Sequence, residues 1–236
     1  MSEDAATDVA EPGVRARGRP GFVEPRWPVA LTIGVFIGIT ITLRVLVPER
    51  ETVGPSWAVP VIEIAMLAAL LLADPTRIVQ RRSWLRPISL GLVMVLAGAV
   101  FFSTFKLIKD LIEGGQVTHS ASALLASGGI IWMGNILIFG LLYWLLDSGG
   151  PTARWRGERQ YPDFAFSQQL SPELAPPGWR PIYVDYLILG LTTSTAFSPT
   201  DVMPMSSWAK LLMAAQSLIS LFVVGLVIAR AVNIFS

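Results

Sequence analysis

The chain has 236 residues, of which 53% are hydrophobic and only 15% charged, with a mean hydropathy of +0.57 and a formal net charge of +1. That balance is too apolar for an ordinary soluble domain and too neutral for a nucleic-acid partner. The absence of cysteine and a lone histidine, His119, exclude disulfide frameworks, thiolate nucleophiles and zinc sites, and no cofactor is expected.

Residues 1–27 are polar, interleave acids with Arg15, Arg17, Arg19 and Arg26, and carry Pro12, Pro20 and Pro25. Such a segment cannot bury enough apolar area to order itself, so it reads as a disordered cytoplasmic tail, without the short apolar core of a secretory signal. Crossing a hydrocarbon core of about 30 Å takes about 20 apolar residues. Runs at 28–47, 56–73, 87–105, 121–146 and 207–233 approach or exceed that length, the second interrupted only by Glu63. Trp27, Trp57, Trp84, Trp144 and Trp208 sit near their ends, where an indole ring suits the headgroup level.

Between Asp185 and Asp201 only 15 uncharged residues remain, six of them Ser or Thr. At 1.5 Å each they reach about 22 Å, so 183–198 is either a short sixth span or a re-entrant half-helix, with Asp185 capping its N-terminus. The expected fold is all-α: a polytopic transmembrane helical bundle over 28–236, of five full spans plus one short or re-entrant helix. With the N-terminus inside, 13 of the 18 basic residues fall on the cytoplasmic side for either span count, which places the chain in the inner (plasma) membrane with its N-terminus cytoplasmic. The longest internal loop, 148–182, holds Arg154, Arg156, Arg159 and Arg180, read first as topogenic charge and second as a headgroup contact.

Trp132, Asn135, Tyr143, Asp163-Phe164, Asp185-Tyr186-Leu187, the run from Thr192 to Asp201, and Ala229-Arg230-Ala231-Val232-Asn233 together resemble a family of uncharacterised bacterial multi-spanning membrane proteins. The resemblance covers about the last 105 residues and implies a membrane protein of unknown activity. The same segment is distantly similar to the pore region of potassium channels, with Asp185-Tyr186-Leu187 at the half-helix start, Thr192-Thr193 as the paired threonines, Asp201 as the acidic residue and Pro204 as the proline. Phe197, Ser198 and Pro199 stand where that filter has glycines, so the filter is degenerate.

A carboxylate at mid-span costs several kcal/mol unless paired, neutral or wetted, which singles out Glu63. Either it lines a polar cavity and carries a proton or cation, with Asn135 and Thr40 nearby, or it is protonated and hydrogen-bonded to Asn135 as interhelical glue. Thr192, Thr193, Thr195 and Ser198 of the short segment, facing Gln216, Ser217 and Ser220 of the last helix, form a polar patch between helices or simply pack them. Asp201 caps the last helix or binds a cation, with Pro204 marking a helix start soon after. Gly34, Gly38, Gly128, Gly129 and Gly134 read as close-approach points. No nucleophile elbow, phosphate loop or metal motif occurs, so no enzyme is expected. Two functions stay open. One is a small-cation or proton pathway through Glu63, Asn135, Thr192, Thr193, Thr195, Ser198 and Asp201. The other is a structural or partner-binding membrane protein, with the lipid bilayer as its main partner and homo-oligomerisation possible.

Overall fold

Long runs of Leu, Val, Ile, Ala and Gly give the backbone polar groups no partner but one another, and helix satisfies them within one segment. The computed structural model describes residues 27–46, 85–113, 121–195 and 201–235, so the expected 56–73 span, Glu63 and Ser198 lie outside the described residues. Within them the chain is mostly helical. Four long helices are α1 (Trp27–Leu46), α2 (Leu85–Glu113), α3 (Ala121–Leu146) and α7 (Ser207–Phe235). Two stretches among the described residues, Leu124–Gly149 and Ser207–Asn233, are long and apolar enough to cross a membrane by length and composition.

Helix α3 is the hub and packs against α1, α2, α6 and α7. Its far half joins a core with Val29 and Ile33 of α1, Tyr183, Tyr186 and Leu189 of α6, and Met213 of α7. Its near half packs Leu124 and Ile131 against Leu107 and Leu111 of α2 and Val223 and Val227 of α7. The opposite surface of α7 is uncovered and apolar: Leu211, Leu221 and Val232 are 71, 64 and 62% exposed.

The segment after α3 is folded. Ser148, Gly149 and Gly150 have φ of 53, 84 and 98°, three successive left-handed residues that turn the chain back on itself. Helix α4 (Pro151–Arg156) follows, then strand β1 (Phe164–Phe166), the single turn α5 (Ser167–Leu170) and α6 (Tyr183–Ser194). Strand β2 (Val202–Pro204) pairs antiparallel with β1 in the register Phe164↔Pro204, Ala165↔Met203 and Phe166↔Val202. This ribbon departs from the all-α expectation. Three-residue strands leave no alternation to read, and their pairing joins segments far apart in sequence. It also corrects the readings of Asp201 and Pro204. Asp201 lies before β2 and Pro204 within it, whereas α7 begins at Ser207, so Asp201 is not at that helix's N-cap position. Asp185, in turn, is the third residue of α6 and reaches back, its Oδ2 accepting the Ile182 N–H at 2.7 Å.

With 12 residues α6 is about 18 Å long. It crosses α3 at glycine on both sides. A Cβ on Gly190 would lie 2.9 Å from the Ile136 carbonyl and 3.2 Å from the Gly140 nitrogen, and one on Gly140 would lie 3.2 Å from the Leu187 Cα. Gly128 is a second close approach, 2.7 Å from the Val227 side chain by the same construction. A Cβ on Gly34, Gly38 or Gly129 would have nothing within 4 Å among the described residues.

Because the atoms facing Gly190 are backbone and cannot rotate away, Gly190→Ala is expected to cost about 1–3 kcal/mol despite alanine's better helix propensity. Gly225→Ala, where nothing lies within 4 Å, is expected to cost nothing. Denaturant titration of both variants in the same detergent measures the difference.

Candidate functional site

The polar residues on α3, α6 and α7 meet in one buried network. Gln216 of α7 is its centre, with no exposed surface. Its Oε1 accepts the Tyr143 hydroxyl at 2.5 Å, and its Nε2 donates to the Gly190 carbonyl at 2.8 Å and to Ser194 Oγ at 2.7 Å. One helical turn on, Ser220 Oγ donates to the Ser194 carbonyl at 2.5 Å and accepts Trp132 Nε1–H at 2.8 Å. Ser217 Oγ donates to the Thr193 carbonyl at 3.2 Å. The carbonyls of Gly190, Thr193 and Ser194 lie at the C-terminal end of α6, where some carbonyls have no helical N–H to accept. Ser217 and Ser220 of α7 supply donors to the Thr193 and Ser194 carbonyls, which lie past the last helical N–H, and Gln216 adds a second bond to the Gly190 carbonyl, so α6 ends against α7.

Of the residues nominated from the sequence, Asn135 and Thr193 are in this buried region. Asn135 Nδ2 donates to Ser194 Oγ at a long 3.4 Å, while its Oδ1 has no partner among the described residues. Thr192 and Thr195 bond back to their own helix, Thr192 Oγ1 to the Ile188 and Leu189 carbonyls and Thr195 Oγ1 to those of Leu191 and Thr192. Asp201 is exposed and apart from the network. Trp132 and Tyr143 entered only through the resemblance, and Gln216 as one of three polar residues on the last helix. Spacing marks all three: Trp132, Asn135 and Tyr143 fall on one face of α3, and Gln216 and Ser220 are one turn apart on α7.

A second polar centre lies just beyond the end of α3. Asp147, 1% exposed, directs one carboxylate oxygen to the N–H groups of Asp163 and Phe164 at 3.0 and 3.2 Å and to the Ser148 hydroxyl at 3.0 Å. The other accepts the Tyr186 hydroxyl at 2.5 Å, with Arg154 Nη1 at 3.8 Å. Asp163 is the reciprocal acceptor. It takes the Ser148 N–H at 2.9 Å, Arg159 Nη1 at 3.3 Å and Trp208 Nε1–H at 2.9 Å. Trp208, read as an interface anchor, is thus tied into the loop, and its ring meets Phe164 edge-on at 5.7 Å. The two aspartates convert residues 147–182 from a loop into a folded cap over one end of the helices.

No protein-family model matches this chain, and no curated protein or solved structure does so either. Among the described residues no group of three or more His, Asp or Glu side chains is arranged to hold a metal ion.

Two substitutions separate the centres. Gln216→Leu removes the acceptor of the buried Tyr143 hydroxyl and a donor to Ser194 Oγ, and is expected to lower stability by about 1–3 kcal/mol, read by denaturant titration. Asp147→Asn removes the charge facing Arg154 and turns an amide N–H₂ toward existing donors, at an expected cost of about 3 kcal/mol. Its signature is new protease cleavage within 147–182, which Gln216→Leu does not produce.

Proposed function

We propose that this chain is a multi-pass protein of the inner membrane with its N-terminus cytoplasmic, built as a scaffold that holds the 147–182 cap at the cytoplasmic surface for binding a partner or ligand. Five full spans with α6 as a re-entrant or short helix remain the topology that the sequence supports. The uncovered Leu, Phe, Val and Ile side chains of α2 and α7 favour lipid as their surroundings, since an apolar face of that extent is unusual on a soluble monomer. The arginine distribution favours the orientation.

The observation that carries the scaffold reading is what the hydroxyl and amide groups of the short segment bond to. A conduit needs polar groups directed at an open path, with donors or acceptors free for the permeating species. Here Ser194, Gln216, Ser217 and Ser220 bond one another or the α6 carbonyls across the helix interface, and Thr192 and Thr195 bond their own backbone. This is the pattern of polar groups that join helices in an apolar environment. The second reading, a small-cation or proton pathway, is favoured by two buried polar atoms without a hydrogen-bond partner among the described residues, the Oδ1 of Asn135 and the Oγ1 of Thr193.

The natural absence of cysteine makes the test direct. Single cysteines replacing Asn135, Ser194, Gln216 or Ser220 in the membrane-embedded chain are expected to resist a water-soluble maleimide. Cysteines at Tyr161 and Leu174, which are 76 and 84% exposed on the cap, are expected to label readily from the cytoplasmic side. Periodic labelling along α6 and α7 would overturn the scaffold reading in favour of a wetted path.

A further inference from the structure

The cap carries a half-open cleft of about 250 Å³, lined by Arg154, Arg159 and Arg180 together with Gln160, Gln169 and Trp179. Three arginine residues thus line one small space. The carboxylates within ion-pair distance of Arg154 and Arg159 are Asp147 and Asp163, and these are already committed to backbone N–H, hydroxyl and indole donors. Arg159 lies 3.3 Å from Asp163 and is half-exposed. Arg180 has no carboxylate within ion-pair distance among the described residues. Its Nη1 donates to the Arg154 carbonyl at 3.1 Å and to that of Trp155, and its guanidinium stacks on the Trp155 ring at 5.0 Å. These contacts fix its direction without neutralising it.

Arg154 adds a fixed positive charge to one wall. Its side chain is only 8% exposed, and its Nη2 is buried without a hydrogen-bond partner among the described residues. Nη1 donates to the Trp144 and Asp147 carbonyls, and the guanidinium lies over the Tyr186 ring at 4.9 Å, so the group is immobilised. A buried charge held in this way favours an anion in the adjoining cleft.

The geometry points to a phosphate-binding site in the cap, in which Arg159 and Arg180 receive a phosphomonoester group beside the buried positive charge of Arg154. A phosphomonoester presents three strong acceptor oxygens and more than one negative charge near neutral pH, which suits two guanidiniums next to a third positive charge better than the two coplanar oxygens of a carboxylate do. The volume is below the range of about 300–1,000 Å³ typical of sites that enclose drug-sized ligands, so the group bound is of headgroup scale. Ser148, two residues past the end of the apolar α3, lines the same cleft, which puts it at the depth of lipid headgroups if the scaffold reading holds. The phosphate therefore comes from a phosphomonoester lipid or from a soluble phosphate ester. This inference deepens the scaffold reading and rests on it only for that location, since binding in detergent does not depend on how the chain crosses the bilayer.

The full chain, purified in a neutral detergent, is titrated with inorganic phosphate at constant ionic strength while thermal stability is followed, sodium chloride serving as the control anion. A parallel arm measures flotation with phosphatidylcholine vesicles containing or lacking phosphatidic acid. Saturable stabilisation by phosphate and not chloride is expected, weakened about tenfold or more by Arg180→Gln and by Arg159→Gln. Arg156→Gln, an exposed arginine paired with Glu158 and outside the cleft, is expected to bind as the parent does. A response to phosphate without selective recruitment to phosphatidic acid identifies a soluble ester, whereas arginine-dependent recruitment to phosphatidic acid identifies the lipid. Arg180 also braces α4, so half-exposed Arg159 provides the variant that keeps its fold, checked by circular dichroism. No saturable response in either arm, or one that both substitutions leave unchanged, overturns the assignment.

Discussion

The carboxylate of Asp147 is the point on which the cap depends. A buried carboxylate is tolerated only when its lone pairs are filled, and this one is filled from three directions: its own turn, the residues entering β1, and Tyr186 of α6. Because its donors come from three elements, satisfying the charge and assembling the cap are the same event. Asp163 repeats the arrangement toward Ser148, Arg159 and Trp208, so that the end of α3, the ribbon and the start of α7 share one set of hydrogen bonds.

The helix unit follows a similar rule at its other polar centre. An 18 Å helix leaves its last carbonyls without helical donors in an apolar setting, and Ser217 and Ser220 supply them to Thr193 and Ser194 while Gln216 ties the turn before. Those bonds require α6 to lie close, which the glycines at 140 and 190 permit. Close approach and polar satisfaction are therefore coupled, and a larger residue at either glycine would break hydrogen bonds it never touches.

What the sequence made legible was what local pattern encodes. Uncharged apolar runs announced the helical character of α1, α2, α3 and α7, and the count of residues between Asp185 and Asp201 announced that the intervening helix would be short. Thr192 and Thr195 were ambiguous because a hydroxyl bonding its own helix and one lining a path look the same in sequence. Asp147 was legible only as the charge that closes an apolar run, since its decisive partners are 16 and 39 residues away. The ribbon was illegible for the same reason, and so was the placement of Arg154, Arg159 and Arg180 along one cleft, which a charge count reads merely as orientation.

The pairing of β1 with β2 closes a chain loop that contains α5 and α6. During synthesis β1 leaves the ribosome about forty residues ahead of the strand it needs, and Asp163 must wait still longer for Trp208. Until then Asp147 can engage its own turn, the backbone at Asp163 and Phe164, and Tyr186, but β1 has no strand partner and Phe164 lacks the Trp208 ring. Maturation of this end of the protein is thus a late, non-local closure with a correspondingly long search. A truncation that stops short of residue 208 is predicted by this order of events to leave the arginine-bearing segment unlatched, even with every residue of that segment present.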